Sequence, residues 1–189
     1  MNMLTDSLCD HIVVEGVPYP IHTDFRTWIK FTLLLERNED AIKTITEALI
    51  LCFPGKSVLP SSLEETMRAL IDFCVGESKE SKGKPGEHKR IYSFEYDHEM
   101  IYSAFMHDYG INLTTAHLHW HEFKALFSGL SKDTQFCEVM GYRSVNLSEI
   151  KDKTQRKFYR DMKQKFKLPD MRTQEQKEAD MINVFEAAF

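Results

Sequence analysis

TTAHLHWHEFKALFSGL, from Thr114 to Leu130, is the stretch on which the fold turns. Its apolar residues Ala116, Trp120, Phe123, Phe127 and Leu130 recur at spacings of four, three, four and three, which is the repeat of one helix face. Leu118, Ala125 and Leu126 widen that face, so the pattern predicts a central helix starting at Thr114 or Thr115. Helical spacing continues on both sides of it. After Asp97 come Ile101, Phe105 and Tyr109, closed by Gly110. On the other side lies a short helix near Asp133–Met140, a polar turn around Arg143–Asn146, and a helix from about Glu149 to Phe166 that Pro169 ends.

Toward the N-terminus the same period recurs. Thr23 or Asp24 can cap a helix carrying Phe25, Trp28, Ile29 and Leu33, and Asn38–Asp40 opens a second with Ile42, Ile45, Leu49 and Cys52 on one stripe. Ser61 with Glu64 reads as a capping box, ahead of a helix placing Leu63, Met67, Leu70, Ile71 and Cys74 on one face, with Gly76 as its C-cap. Only the first residues read as strand. His11–Glu15 is β-rich, Glu15-Gly16 can turn, and Val17, Tyr19 and Ile21 alternate behind it, while Pro18 and Pro20 confine that strand to an edge. A last helical segment from Thr173 would hold Ile182, Phe185 and Phe189. No repeat is evident. The expected fold is mainly α: one compact helical domain over 1–189, of about seven or eight helices with a small N-terminal β-hairpin. Its parts are the hairpin (1–23), a first helical part (24–75), a loop (76–90), a central helical part (91–168) and a C-terminal helical segment (169–189). The loop, GESKESKGKPGEHKR, has three glycines, one proline and no large apolar residue, so it should be mobile.

Composition narrows the function classes. The 189 residues are 42% hydrophobic and 28% charged, enough for a sizeable core. The net charge of 24 − 29 = −5 disfavours a globally basic nucleic-acid binder. Met1–Asp10 lacks the basic flank and apolar block of a signal peptide, and the longest apolar run, Ala48–Phe53, is far short of a membrane span. Cys9, Cys52, Cys74 and Cys137 are widely spaced without a CxxC pair, which suits a reduced, cytoplasmic chain.

No catalytic signature emerges. There is no GxSxG elbow, no GxxxxGK[ST] and no GxGxxG. On a helix His117 and His121 would share a face and could hold a metal with Glu122 or Asp108, yet Leu118 stands where a zincin needs Glu. Surface or partner-facing histidines are the expectation, with no metal and no cofactor. Charge is more informative. Lys151–Lys167 carries eight basic residues against Asp152 and Asp161, a local +6 that leaves −11 for the rest. Lys153, Arg156, Lys157, Arg160, Lys163 and Lys167 would form a band opposite Phe158, Met162 and Phe166. That band suits a solvated face, docking onto an acidic protein surface (another copy included), or nucleic-acid contact. An aromatic share of 12%, beyond the usual need of a small helical core, hints at association.

Four segments together resemble the bacteriophage gene-product-fifteen family: YPIHTDFRTWIKFTLL (19–34), RIYSFEYDHEMIYSAFMHDYGINL (90–113), LHWHEFKALFSGLSKDTQF (118–136) and MGYRSVNLSEIKDKTQRKFYRDMKQKF (140–166). Such proteins are encoded in the tail-gene cluster of siphophages and prophages, just before the tape-measure gene. The resemblance implies a non-enzymatic tail assembly chaperone that coats the tape-measure protein in the host cytoplasm before tail-tube polymerisation. The tail-tube protein and further copies of the chain are additional implied partners. It departs from the family pattern at His121, where a second tryptophan is expected. Trp120, His121, Arg143, Arg156, Lys157, Arg160 and Lys163 are the candidate partner contacts. Trp28, Tyr96, Tyr102, Tyr109 and Tyr142, with Trp120 and Arg143, are expected to matter for the structure. The rival reading is a nucleic-acid-binding phage regulator using 151–167.

Overall fold

The computed structural model describes residues 2–37, 40–55, 59–76 and 90–169. Strands β1 (His11–Val14) and β2 (Val17–Pro20) pair antiparallel with Ile12 opposite Tyr19 and Val14 opposite Val17. Glu15 at φ 50° and Gly16 at φ 78° both adopt the left-handed region, as a two-residue hairpin turn matched to strand twist requires. Pro18 and Pro20 cannot donate to a further strand, so pairing stops at two. Ile12 and Val14 point inward.

Seven helices follow among the described residues: α1 (Phe25–Glu36), α2 (Ala41–Cys52), α3 (Leu63–Val75), α4 (His98–Tyr109), α5 (Trp120–Ser128), α6 (Gln135–Ser144) and α7 (Lys153–Lys165). Short polar side chains start most of them. The Asp24 carboxylate accepts from the backbone N–H of Arg26, and Asp40 from those of Ile42 and Lys43. Gly110, at φ 65°, ends α4 in the left-handed cap that a β-carbon would disfavour.

Aromatic rings fill the centre. Phe123 of α5 stacks on Phe25 of α1 at 4.8 Å and on Phe105 of α4 at 5.1 Å, with Trp120 and Phe127 at 5.7 and 5.8 Å. Trp28 lies 4.5 Å from Phe73 of α3 and donates its indole N–H to the carbonyl of His22 at 2.8 Å. Most of the aromatic surplus is therefore core. Trp28 and Trp120 are buried, and the Tyr109 hydroxyl donates to the carbonyl of Leu126 at 2.9 Å.

Several expectations about local structure are corrected. The central helix begins at Trp120, not at Thr114 or Thr115. Leu118–Trp120 instead runs extended beside Thr23–Phe25: the Phe25 N–H donates to Leu118 O at 3.1 Å and the Trp120 N–H to Thr23 O at 2.7 Å. The cap of α3 is Ser62, accepting from Glu65 N–H, while Ser61 donates its hydroxyl to the Glu15 carboxylate. Helix α3 is also rotated, burying Thr66, Leu70 and Phe73 and leaving Leu63 and Ile71 exposed, because the Phe73 ring seats against Trp28. In α2, Ile42 is likewise outside, and Ala48 and Cys52 face in. The C-terminal segment 170–189 and most of the 76–90 loop lie outside the described residues.

Arg143 is not in a polar surface turn but inside α6, and it is buried. Its guanidinium forms a two-pronged pair with Asp97, at 2.6 Å (Nη1–Oδ2) and 2.9 Å (Nη2–Oδ1). Nη1 also donates to Ile91 O and Nε to Phe166 O, while Asp97 accepts from the Ser93 N–H. One side chain thus joins α4, α6, the end of α7 and the 91–97 approach. We expect Arg143→Ala or Asp97→Asn to cost about 3–5 kcal/mol, because each leaves the other charge or its donors buried without a partner. Urea unfolding measures this, and Arg143→Lys should recover only part of the loss, since an ammonium cannot supply the fork.

Candidate functional site

The HWHEFK motif binds the end of α3. The last turn of a helix carries carbonyls without intrahelical partners, and three side chains of α5 supply donors to them. Trp120 Nε1 donates to Cys74 O at 2.8 Å, His121 Nε2 to Phe73 O at 3.1 Å, and Lys124 Nζ to Cys74 O and Val75 O at 2.8 and 3.1 Å. The Lys124 charge also opposes the negative end of the α3 dipole. Gly76 follows at φ 82°, where a β-carbon would meet the Lys124 ammonium at 2.9 Å. Trp120 is buried and His121, half-buried, stacks on Phe73 at 4.6 Å, so both engage this helix end.

The histidines have separate tasks. His119 caps α5, its Nδ1 accepting from the His121 N–H and its Nε2 donating to Cys9 O at 3.0 Å, while Glu122 accepts from the His119 N–H. His117 is exposed outside the helix, so His117 and His121 share no helix face. Among the described residues no three His, Cys, Asp or Glu side chains are grouped to hold a metal ion. His121 Nδ1 is buried without a partner.

Burial holds the His121 pKa below its ordinary value, against the opposing effect of the Phe73 carbonyl and with added repulsion from Lys124 and His119. Burial likewise lowers the Lys124 pKa and raises that of the Cys74 thiol.

The basic band of α7 divides in two. Arg156 turns inward to Ile150 O, and Lys163 Nζ donates to Val145 O at 2.5 Å, both tying the 145–150 turn to the helix. Lys153, Lys157 and Arg160 stay exposed. Tyr159 and Phe166 lie half-buried against Tyr142 of α6 and Met162 is half-buried, but Phe158 stands 48% exposed. Elsewhere a cavity of about 520 Å³ opens between α1 and α4, floored by Phe94, Ile101 and Phe123, with Tyr102, Glu99 and Thr114 among its other walls.

The family model for the bacteriophage Gp15 protein matches residues 4–168, a span holding the hairpin and all seven helices. The chain belongs to the bacteriophage Gp15 family. Within the matched span, Tyr96-Asp97, His119-Trp120 and Tyr142-Arg143-Ser144 fall respectively on the Asp97 pair, the α3 cap and Arg143, which are structural positions. No curated protein and no solved structure matches this Gp15-family chain. No helix among the described residues is long and apolar enough to cross a membrane.

Sequence reading overlooked Lys124 and Gly76 as a pair, although a lysine one turn after Trp120 places both donors on one side of α5. Because the folded-state pKa of His121 is depressed, the unfolded chain binds the proton first as pH falls. Stability contributed by neutral His121 is complete above about pH 6.5 and declines below it. We expect the urea midpoint to drop between pH 7.5 and 5.5, and His121→Phe to flatten that drop relative to the unaltered protein.

Proposed function

We propose that this Gp15-family chain is a non-enzymatic tail assembly chaperone, binding the tape-measure protein in the host cytoplasm until tail-tube subunits polymerise around it. The observation that carries this reading is the outer face of α2. Ile42 and Ile50, two turns apart, are 77% and 76% exposed. Their charged neighbours Lys43 and Glu47 approach each other at 4.0 Å and offset one another. Leu63, Ile71 and Val75 of α3 are exposed as well, beside the Arg68–Glu64 pair at 3.1 Å. Exposed apolar residues on helix faces suit a partner that presents its own apolar helix, which is how a helical client docks on a groove or face. A long client coated by many copies needs a reversible contact of this kind, with no reaction to perform.

The second reading, nucleic-acid contact, draws on the outward Lys153, Lys157 and Arg160. It requires binding that weakens with salt at a log–log slope of roughly −0.9 per phosphate neutralised on duplex DNA.

Co-expression with the tape-measure protein separates them. We expect a soluble complex with several copies per client, and its loss in an Ile42→Asp/Ile50→Asp variant whose unfolding free energy stays within about 0.5 kcal/mol of the unaltered chain. A client that precipitates while this protein elutes alone overturns the chaperone reading. Reversal of Lys153, Lys157 and Arg160 should leave client capture intact if α2 is the contact. Arg156 is unsuited to that test, since its guanidinium holds Ile150 O.

A further inference from the structure

Helix α7 is held differently from the helices before it. Each of α1 to α6 buries at least two side chains, whereas no residue of α7 is buried. Tyr159, Met162 and Phe166 on its inner side are only half-buried. A helix that removes so little apolar surface from water gains little from staying docked.

The turn ahead of α7 is tied to it. Arg156 Nε donates to Ile150 O at 2.8 Å and Lys163 Nζ to Val145 O at 2.5 Å, while Asn146 Nδ2 donates to the Glu149 carboxylate at 2.7 Å. Residues 145–166 are therefore cross-linked among themselves. Their ties to the body gather, among the described residues, on two neighbouring positions of α6. The Tyr142 ring stacks on Phe166 at 6.0 Å and meets Phe158 and Tyr159 at 6.0 and 6.1 Å. Arg143 Nε donates to Phe166 O at 2.7 Å. Loss of that bond leaves the buried pair whole, because Asp97 and Ile91 O still hold Nη1 and Nη2. Water can take the place of Phe166 O once the helix moves away. The chain leaves α6 at Val145, where the backbone is no longer helical (φ −54°, ψ 134°), and hinges commonly sit at such element ends.

We propose that residues 145–166 form an arm that swings off α6 as one body, about Val145, while the rest of the fold stays intact. On α7, Phe158, Tyr159, Met162 and Phe166 share one side, and Lys153, Lys157 and Arg160 the opposite one. Opening displays that apolar side and bares the Tyr142 ring, and closing masks both. The arm goes beyond the chaperone reading and does not rest on it, since opening needs no client.

Native-state hydrogen exchange of the full chain, read by mass spectrometry, tests the arm. We expect both halves of α7 to show one common protection, at least about a hundredfold weaker than that of α4 and α5. Low urea should hardly change exchange in α7, because release exposes little surface, while exchange in α4 and α5 should quicken as global unfolding does. Tyr142→Ala should speed exchange in α7 by roughly a further tenfold or more and leave α5 unchanged. Phe166→Ala, which removes the other partner of the same stack, should do likewise, and circular dichroism checks that both variants remain helical. Protection that falls steadily toward the C-terminal end of α7 is fraying rather than release, and it would overturn the proposal. So would protection in α7 equal to that in α5, or variants that speed exchange in both helices alike, since either result couples α7 to the whole fold.

Discussion

The buried pair between Arg143 and Asp97 is the constraint on which the second half of the molecule depends. Charges removed from water are tolerable only when nearly every donor and acceptor is used, and here they are used by main-chain groups from separate segments. Asp97 takes the Ser93 N–H while Arg143 takes Ile91 O and Phe166 O. The Arg90 guanidinium extends the same system to Glu36 at the end of α1 and to the Ser93 hydroxyl. Helix α7 depends on this arrangement most, because none of its residues is fully buried. It is held by the bond from Arg143 to Phe166, by inward Arg156 and Lys163, and by the stacking of Tyr142 on Phe166.

The first half is organised by aromatic packing and by the sealed end of α3. Phe123 places α1, α4 and α5 around one ring, and the donors of Trp120, His121 and Lys124 lock α5 onto α3. His121 does there what a second tryptophan could also do: it presents a flat ring to Phe73 and an N–H to a carbonyl. It adds a titratable group to a place already occupied by a lysine. With both halves anchored from within, what faces outward is the Ile42–Ile50 face of α2, the cavity between α1 and α4, the cationic side of α7 and the exposed Phe158 ring.

Much of this was legible in the chain itself. The hairpin turn, the caps Asp24, Asp40, Gly76 and Gly110, and the stop after Phe166 depend on residues within about four positions of each other, so local pattern suffices to place them. The mainly α class and the Gp15 family were legible too, the family from four segments that hold the Asp97–Arg143 pair and the donors to the end of α3.

Tertiary structure alone decided which way those elements face. Leu63 and Ile71 carry a sound helical period, yet Phe73 takes the interior because Trp28 offers a ring to pack against, some 45 residues away in sequence. HLHWH has an apolar spacing fit for a helix, but pairing of Leu118 and Trp120 with Thr23 and Phe25 holds it extended until His119 caps α5. Arg143 reads as a surface charge until Asp97 is brought beside it. Caps and turns are satisfied by near neighbours. Burial, ion pairing and the choice between rival apolar faces are settled by distant ones, and only the folded chain brings those into contact.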